Sequence, residues 1–439
     1  MLFEGAQMRR KVTTRALGAA ALAALLAAVA HAAPPPRGAT PLPASSCSPV
    51  QNRSGKYLIA SDLPLQGGGR AQTREMARAI AFVLKQHRWR AGRHTLAYQS
   101  CDDSTARSGM WDELKCAANA RAYARNRDVV GVIGTFNSGC AEVALPILNE
   151  APNGPLAMIS PANTSVGLTR AGPGTEAGEP DRYYPSGKRN FARLIAPDDL
   201  QVAADAILAR QLGVRSVFVL NDGSPYGIGA ATTFRNAARR LRIRIAGFAA
   251  WDGGAASYRP LARAVKAARA QGAFLGGLVC DNGGKLIKDL RARLRPGFKI
   301  ITPDGFTPVS AVVQAAGAAA EGVTVSVAGL PTDKLPATGR KFVAAFTKAN
   351  GGDAPGPYAA YAAQATEALV QAIAASDGTR ASVSARLLKV KITNGILGSF
   401  GFDANGDATA SAVTIYRIRE GQAWTHSVIV PPASLVGTP

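Results

Sequence analysis

Between residues 129 and 169 the chain twice runs from a short apolar segment into a loop of small polar residues: GVIGTFNSGCAEVAL, then GPLAMISPANTSVGLT. Val129–Ile133 is rich in β-branched residues, too short for a helix and bounded by Gly134, which predicts a strand. Thr135–Gly139 follows, and then an apolar-periodic stretch, Ala141–Leu148, that predicts a helix. Pro155–Ile159 repeats the run and leaves it through Ser160–Ser165. Hydroxyls and unpaired backbone N–H groups at such an exit can receive a carboxylate or another anion without a cation. Strands alternating with amphipathic helices in this way predict an α/β fold with a parallel, doubly wound sheet.

The alternation runs through most of the chain. Tyr57–Ser61 and Thr95–Gln99 are strands ahead of the pair above, with helices at 71–86 and 111–125. The loop LPLQGGGRAQ lacks both G-x-G-x-x-G and a phosphate-binding Lys, so it reads as a flexible turn beside a cleft. Residues 171–190 break the rhythm with Gly, Pro and charge, as a cleft rim or an insertion. A second series starts near Ala196, with strands at 216–220, 244–249, 273–278 and 299–302. At 439 residues the chain exceeds one hydrophobic core, so two lobes are expected. Gly395–Phe402 and Ala412–Ile418 read as a hairpin with Asn405-Gly406 in the turn. Asp403-x-Asn405-x-Asp407 has the acidic spacing of a calcium loop but lacks Gly at the sixth position and Glu at the twelfth.

At the N-terminus, Arg9, Arg10, Lys11 and Arg15 precede an Ala/Leu run that ends in Ala30-His31-Ala32, the pattern of a secretory signal peptide over residues 1–32. Residues 33–54 carry six prolines and read as a poorly ordered tether. Cys47 within it stands too far from the apolar run for a lipid-modified cysteine. The five cysteines permit two disulfides, with Cys101, Cys116 and Cys140 the best placed to include a pair. Four histidines without ligand spacing give no metal site and no cofactor. The formal charge of +22 comes from arginines spread singly along helix faces. With no aromatic residues interleaved among them, they read as solvated faces and give no nucleic-acid partner.

The motifs IGTFNSG, ISPANTS, FARLIAPDDLQ, NDGSPYGIG, GGLVCDNGG, TPDGF and GPYAAYAAQATEAL occur in that order between Tyr57 and Ile418. They closely resemble the extracytoplasmic binding proteins of branched-chain amino acid ABC transporters. The resemblance implies two doubly wound lobes of the type I periplasmic-binding-protein fold, joined by three hinge crossings near Arg193–Pro197, Thr307–Ser310 and Val390–Gly395. Lobe 1 would span 55–195 and 308–392, and lobe 2 would span 196–307 and 393–439. By position, Ser138 and Thr164 would hold the ligand carboxylate, with Phe136, Asn137, Ala162 and Asn163 as backbone or wall positions. Tyr226 would cover the ligand, Leu278 would stand where amino-acid binders often have Tyr, and Asp304 would receive the ammonium. Arg70, in the first loop, departs from the family and would add an anion site.

Without the resemblance, plainer uses remain open. Ser138 and Thr164 could cap helices, Asp304 could sit in a turn and Tyr226 in the core. The resemblance implies a non-enzymatic, exported receptor, monomeric and peripheral to the membrane, whose partners are an amino-acid-like ligand and the permease and ATPase of an ABC transporter. A tethered sensor for a signalling protein is the alternative. An enzyme using Ser138 or Cys280 lacks both G-x-S-x-G and a histidine in any cleft loop.

Overall fold

The computed structural model describes residues 38–106, 110–409 and 412–436. The expected signal peptide lies outside these residues. The first sheet is built from β1 (Tyr57–Leu63), β2 (Arg90–Ala91), β3 (His94–Asp102), β4 (Val129–Gly134), β5 (Ala157–Ser160) and β6 (Phe191–Arg193). Their order is β2-β3-β1-β4-β5-β6, parallel except for the short edge strand β2. Helices α1 (Arg70–Gln86), α2 (Glu113–Arg125) and α3 (Ser138–Asn149) make the crossovers, as parallel pairing requires. Leu58 and Ala60 pack with α2 and α3, whereas Ile59 and Leu63 pack with α1. Strand periodicity thus puts one apolar layer on each face.

The second sheet repeats the plan. It contains β7 (Ser216–Asn221), β8 (Arg244–Ala250), β9 (Gly272–Gly276), β10 (Lys299–Thr302) and β11 (Thr324–Ala328). These are interspersed with α4 (Asp198–Gln211), α5 (Pro225–Arg240), α6 (Arg259–Ala267), α7 (Gly284–Arg291) and α8 (Val309–Ala316). The order β8-β7-β9-β10-β11 continues through two antiparallel strands, β14 (Val413–Arg419) and β15 (Gln422–Ile429). In each sheet the winding reverses beside the first strand, between β1 and β4 and between β7 and β9. The crevice at the carboxyl end of such a reversal is where open α/β sheets bind ligands.

Two of the three expected crossings fall elsewhere. Residues 308–328 do not return to the first lobe, because β11 pairs with β10 and β14. Val312, Ala316, Val323 and Val325 share a core with Leu286 and Ile300 of the second lobe. The chain leaves the second sheet only after β11, and α9 (Ala337–Ala349), α10 (Pro357–Ala374) and α11 (Arg380–Leu387) then pack with the first. The expected hairpin is also different. β12 (Lys391–Gly395) pairs with β13 (Gly398–Gly401), and β14 pairs with β11 and β15 instead. Residues 393–408 therefore stay with the first lobe, where Phe400 and Ala408 are buried, and the last crossing follows Thr409.

The described part of the expected tether is packed rather than loose. Ser48 and Gln51 donate backbone N–H groups to Ser100 and Tyr98 along β3, at 2.8 and 2.9 Å. Leu42 is buried, and the Cys47–Cys101 disulfide fastens the segment. Proline content suggested looseness, but the segment has a strand edge to lie against. A second disulfide joins Cys116 to Cys140, leaving Cys280 free. Asp103 lies beside Cys116 and Cys140, but two bonded sulfurs offer a metal no thiolate.

Candidate functional site

The carboxyl ends of both sheets face one cleft. On the first lobe, β4 ends at Gly134, and Thr135 Oγ1 donates to the Asn137 carbonyl at 2.8 Å, shaping the turn into α3. Asn137 occupies the N-cap position without a side-chain cap, so the first N–H groups of α3 have no partner from their own cap. Ser138 is buried, and its hydroxyl accepts from the Ser165 N–H at 3.2 Å, which leaves its own hydrogen to donate. After β5, the Ser160 hydroxyl accepts from the Ala162 and Asn163 N–H groups at 3.0 and 2.8 Å and donates to the Thr135 carbonyl at 2.9 Å. Both loops are therefore held rigidly with Ser138 and Thr164 on the same cavity wall.

The second lobe supplies the facing wall. Tyr226 starts α5 after Ser224 has capped the helix through the Gly227 N–H. Its hydroxyl donates to Asp304 Oδ1 at 2.7 Å and accepts from the Gly305 N–H at 3.1 Å. Asp304 follows β10 and also accepts from the Tyr358 hydroxyl at 2.5 Å and from Gln201 Nε2 at 3.1 Å. Tyr358 comes from α10 of the first lobe and stands edge-on to Phe136, so Asp304 joins the two halves of the cleft. Burial raises the Asp304 carboxyl above its ordinary range, and the Tyr358, Tyr226 and Gln201 donors pull it partly back.

Eight of the ten residues expected at the site line one cavity: Phe136, Asn137, Ser138, Ala162, Thr164, Tyr226, Leu278 and Asp304, joined by Gly305. The other two do not. Asn163 is fully buried and turns inward, its Nδ2 donating to the Phe136 carbonyl at 3.1 Å, so it ties the two loops together instead of forming the wall. Arg70 is exposed at the start of α1 and donates to the Gly67 carbonyl at 3.0 Å. Its guanidinium bonds back to its own turn, and Arg70 is not among the residues that line the cavity. The sequence reading missed Tyr358, Gln201 and Asp198, although the quoted motifs GPYAAYAAQ and APDDLQ contain them. Their signal is a polar residue at the head of an otherwise apolar helix.

In this conformation the cavity measures about 20 Å³, space for one water and not for an amino acid. A ligand therefore needs the walls to part. Besides the Tyr358–Asp304 bond, two longer contacts cross the cleft. Gln72 Nε2 donates to Thr307 Oγ1 at 3.4 Å, and the Thr233 hydroxyl donates to the Pro173 carbonyl at 3.1 Å.

Among the described residues no histidine lines the cavity. His87 pairs with Glu367 and His94 faces the Ser376 carbonyl, both away from the cavity. Cys280 reaches the surface as a residue, but burial of its sulfur and the adjacent Asp281 push the thiol up to about 12.

The sequence profile of a family described as periplasmic binding protein matches residues 62–423. A search of curated proteins gives no match. Among solved structures, the leucine-binding protein LivK of Thermotoga maritima aligns with a TM-score of 0.74 at 21% identity, over 85% of this chain and 99% of that one. The LivJ substrate-binding protein of Streptococcus pneumoniae, solved with isoleucine, gives 0.70 at 18% identity over 85% and 99%. A solute-binding protein of R. palustris in complex with benzoate gives 0.69 at 16% identity over 86% and 97%. Among the described residues no helix is long and apolar enough to cross a membrane. The chain belongs to the periplasmic binding protein family, whose members are extracytoplasmic solute-binding proteins of the ABC-transporter type.

Proposed function

We propose that the protein captures an amino acid or a similar small carboxylate between its lobes and delivers it to an ABC permease. In this reading residues 1–32 direct export, and the protein works without catalysis. One observation carries it: a single cavity has hydroxyls and an uncapped helix start on one wall and a buried carboxylate, Asp304, on the other. The first wall suits a carboxylate and the second an ammonium, so a zwitterion fits both. Phe136, Ala162 and Leu278 leave apolar space between them for a side chain. Ligand contacts to both lobes would shift the hinge equilibrium toward closure.

A second reading has support of its own. Asp304 already receives three hydrogen bonds from the protein, so a ligand without an amine leaves no naked charge. An aromatic acid such as benzoate would then use the carboxylate wall alone.

A thermal-shift screen against amino acids, aromatic and aliphatic carboxylates and sugars separates these readings. A solute at one hundred times its Kd stabilises by about 2.7 kcal/mol, a shift read without difficulty. Stabilisation by amino acids supports the zwitterion, and stabilisation by benzoate alone selects the aromatic acid. Sugars acting while every carboxylate is silent would refute both.

A further inference from the structure

Asp304 takes its three hydrogen bonds on two different oxygens. Oδ1 accepts from the Tyr226 hydroxyl at 2.7 Å and from Gln201 Nε2 at 3.1 Å, and Oδ2 accepts from the Tyr358 hydroxyl at 2.5 Å. Tyr226 and Gln201 belong to α5 and α4 of the second lobe, the lobe that carries Asp304. Both are anchored there, Tyr226 by the Gly305 N–H at 3.1 Å and Gln201 by the Ser326 carbonyl and hydroxyl, also at 3.1 Å. Tyr358 is the second residue of α10, on the first lobe, and is 1% exposed. Its ring stands edge-on to Phe136, with 5.4 Å between centroids.

When the lobes part, Tyr226 and Gln201 stay with Asp304, and the Tyr358 hydroxyl leaves with the first lobe. Oδ2 is therefore the oxygen that opening releases for a ligand ammonium. On closure two donors compete for it, the phenol from the protein and the ammonium from the ligand. A ligand with no amine leaves Oδ2 to the phenol, so the cleft closes without burying a bare carboxylate oxygen, which is costly. A ligand with an amine brings its own donor and gains less from a cleft that already has one.

We propose that Tyr358 sets the selectivity of this cleft: its hydroxyl stands in for a ligand ammonium on Asp304 Oδ2 and lets the lobes close on carboxylates that have no amine. This rests on the carboxylate-binding reading above and names the residue that decides how strongly an amine is required. The ligand class is then small carboxylic acids with and without an α-amino group, and the preference between them is set from the first lobe.

The test is calorimetric titration of wild type, Tyr358→Phe and Tyr361→Phe with L-leucine and with two amine-free acids, 4-methylpentanoate and benzoate. Tyr358→Phe keeps the ring against Phe136 and removes the hydroxyl alone. Tyr361→Phe is the control, because this hydroxyl, one turn further along α10, donates to the Ala328 carbonyl at 2.7 Å instead of to a carboxylate. A buried oxygen left without its donor opposes closure, so the preference for L-leucine over the amine-free acids should widen about 10- to 100-fold in Tyr358→Phe. In Tyr361→Phe it should change by less than about threefold. Where wild type binds only an amine-free acid, Tyr358→Phe should lose the same factor for that acid relative to Tyr361→Phe. An unchanged or narrowed preference in Tyr358→Phe, or the same change in Tyr361→Phe, would mean that the hydroxyl serves closure alone, which overturns the proposal. Wild type that binds L-leucine and neither amine-free acid also overturns it and leaves the receptor reading intact. Wild type that binds none of the three overturns the carboxylate reading, and the proposal with it.

Discussion

Asp304→Asn will weaken binding of L-leucine, or of whichever amino acid stabilises the protein, by roughly 100- to 4,000-fold. The substitution keeps the size of the side chain and its oxygen for Tyr226, removes the charge proposed to face the ligand amine, and puts an amide donor where the Tyr358 hydroxyl had an acceptor. Leaving a buried ammonium without its anion costs about 3–5 kcal/mol, and each 1.4 kcal/mol is tenfold in affinity. Benzoate has no ammonium to lose, so its affinity should stay within about threefold. Calorimetry on the two compounds gives the ratio directly. A small and equal loss for both would mean that Asp304 orders the cleft through Tyr226, Tyr358 and Gln201 and meets no ligand amine.

Arg193→Met will destabilise the fold more than any change at the cavity. Arg193 is fully buried where the first lobe hands the chain to the second. It donates Nε to Asp407 Oδ1 at 2.6 Å, Nη1 to the Ser165 carbonyl and Nη2 to Thr169 Oγ1, both at 2.5 Å. One side chain therefore holds together β6, the ligand loop and the final segment before the last crossing. Methionine fills much of the volume but leaves Asp407 buried with Arg170 at 3.6 Å as its charge partner and the Thr169 hydroxyl at 3.0 Å. Breaking one partner of such a pair costs about 3–5 kcal/mol, read as a lower thermal midpoint. The pH dependence has a definite sign. Burial opposes the charge on Asp407, but Arg193 and Arg170 outweigh it and hold the carboxyl below its ordinary value. That stability is fully present above the unfolded carboxylate pKa of about 3.9. It is lost as pH falls through the lower folded value. In Arg193→Met this acid-dependent loss should shrink; a wild-type midpoint and acid profile would show that the pair is not needed.

The alternation of strands and helices, and both lobes with it, can be read from the sequence because short β-branched runs and apolar periodicity are local signals. Sheet membership is not local. Val323 and Val325 read equally well as a strand of either lobe, and only pairing with β10 and β14 assigns them. The same limit misplaced Gly395–Phe402, whose partner is β12 and not β14. The cavity was largely legible because its residues lie in loops at strand exits, where topology leaves little choice. Arg70 bonds back to Gly67 and does not line the cavity, because where a long side chain at a helix start turns is not a local signal. Tyr358 and Asp198 escaped notice because each reaches the site from an element distant in sequence, through contacts with Asp304 and Thr164.

The central claim is that one cleft recognises a carboxylate at one end and an ammonium at the other. Calorimetric titration with L-leucine, with 4-methylpentanoate, which lacks the amine, and with isoamylamine, which lacks the carboxylate, tests both ends at once. The account predicts that L-leucine binds and that each half-molecule binds at least tenfold more weakly. Equal affinity for 4-methylpentanoate and L-leucine would contradict the role given to Asp304, and equal affinity for isoamylamine would contradict that given to Ser138 and Thr164.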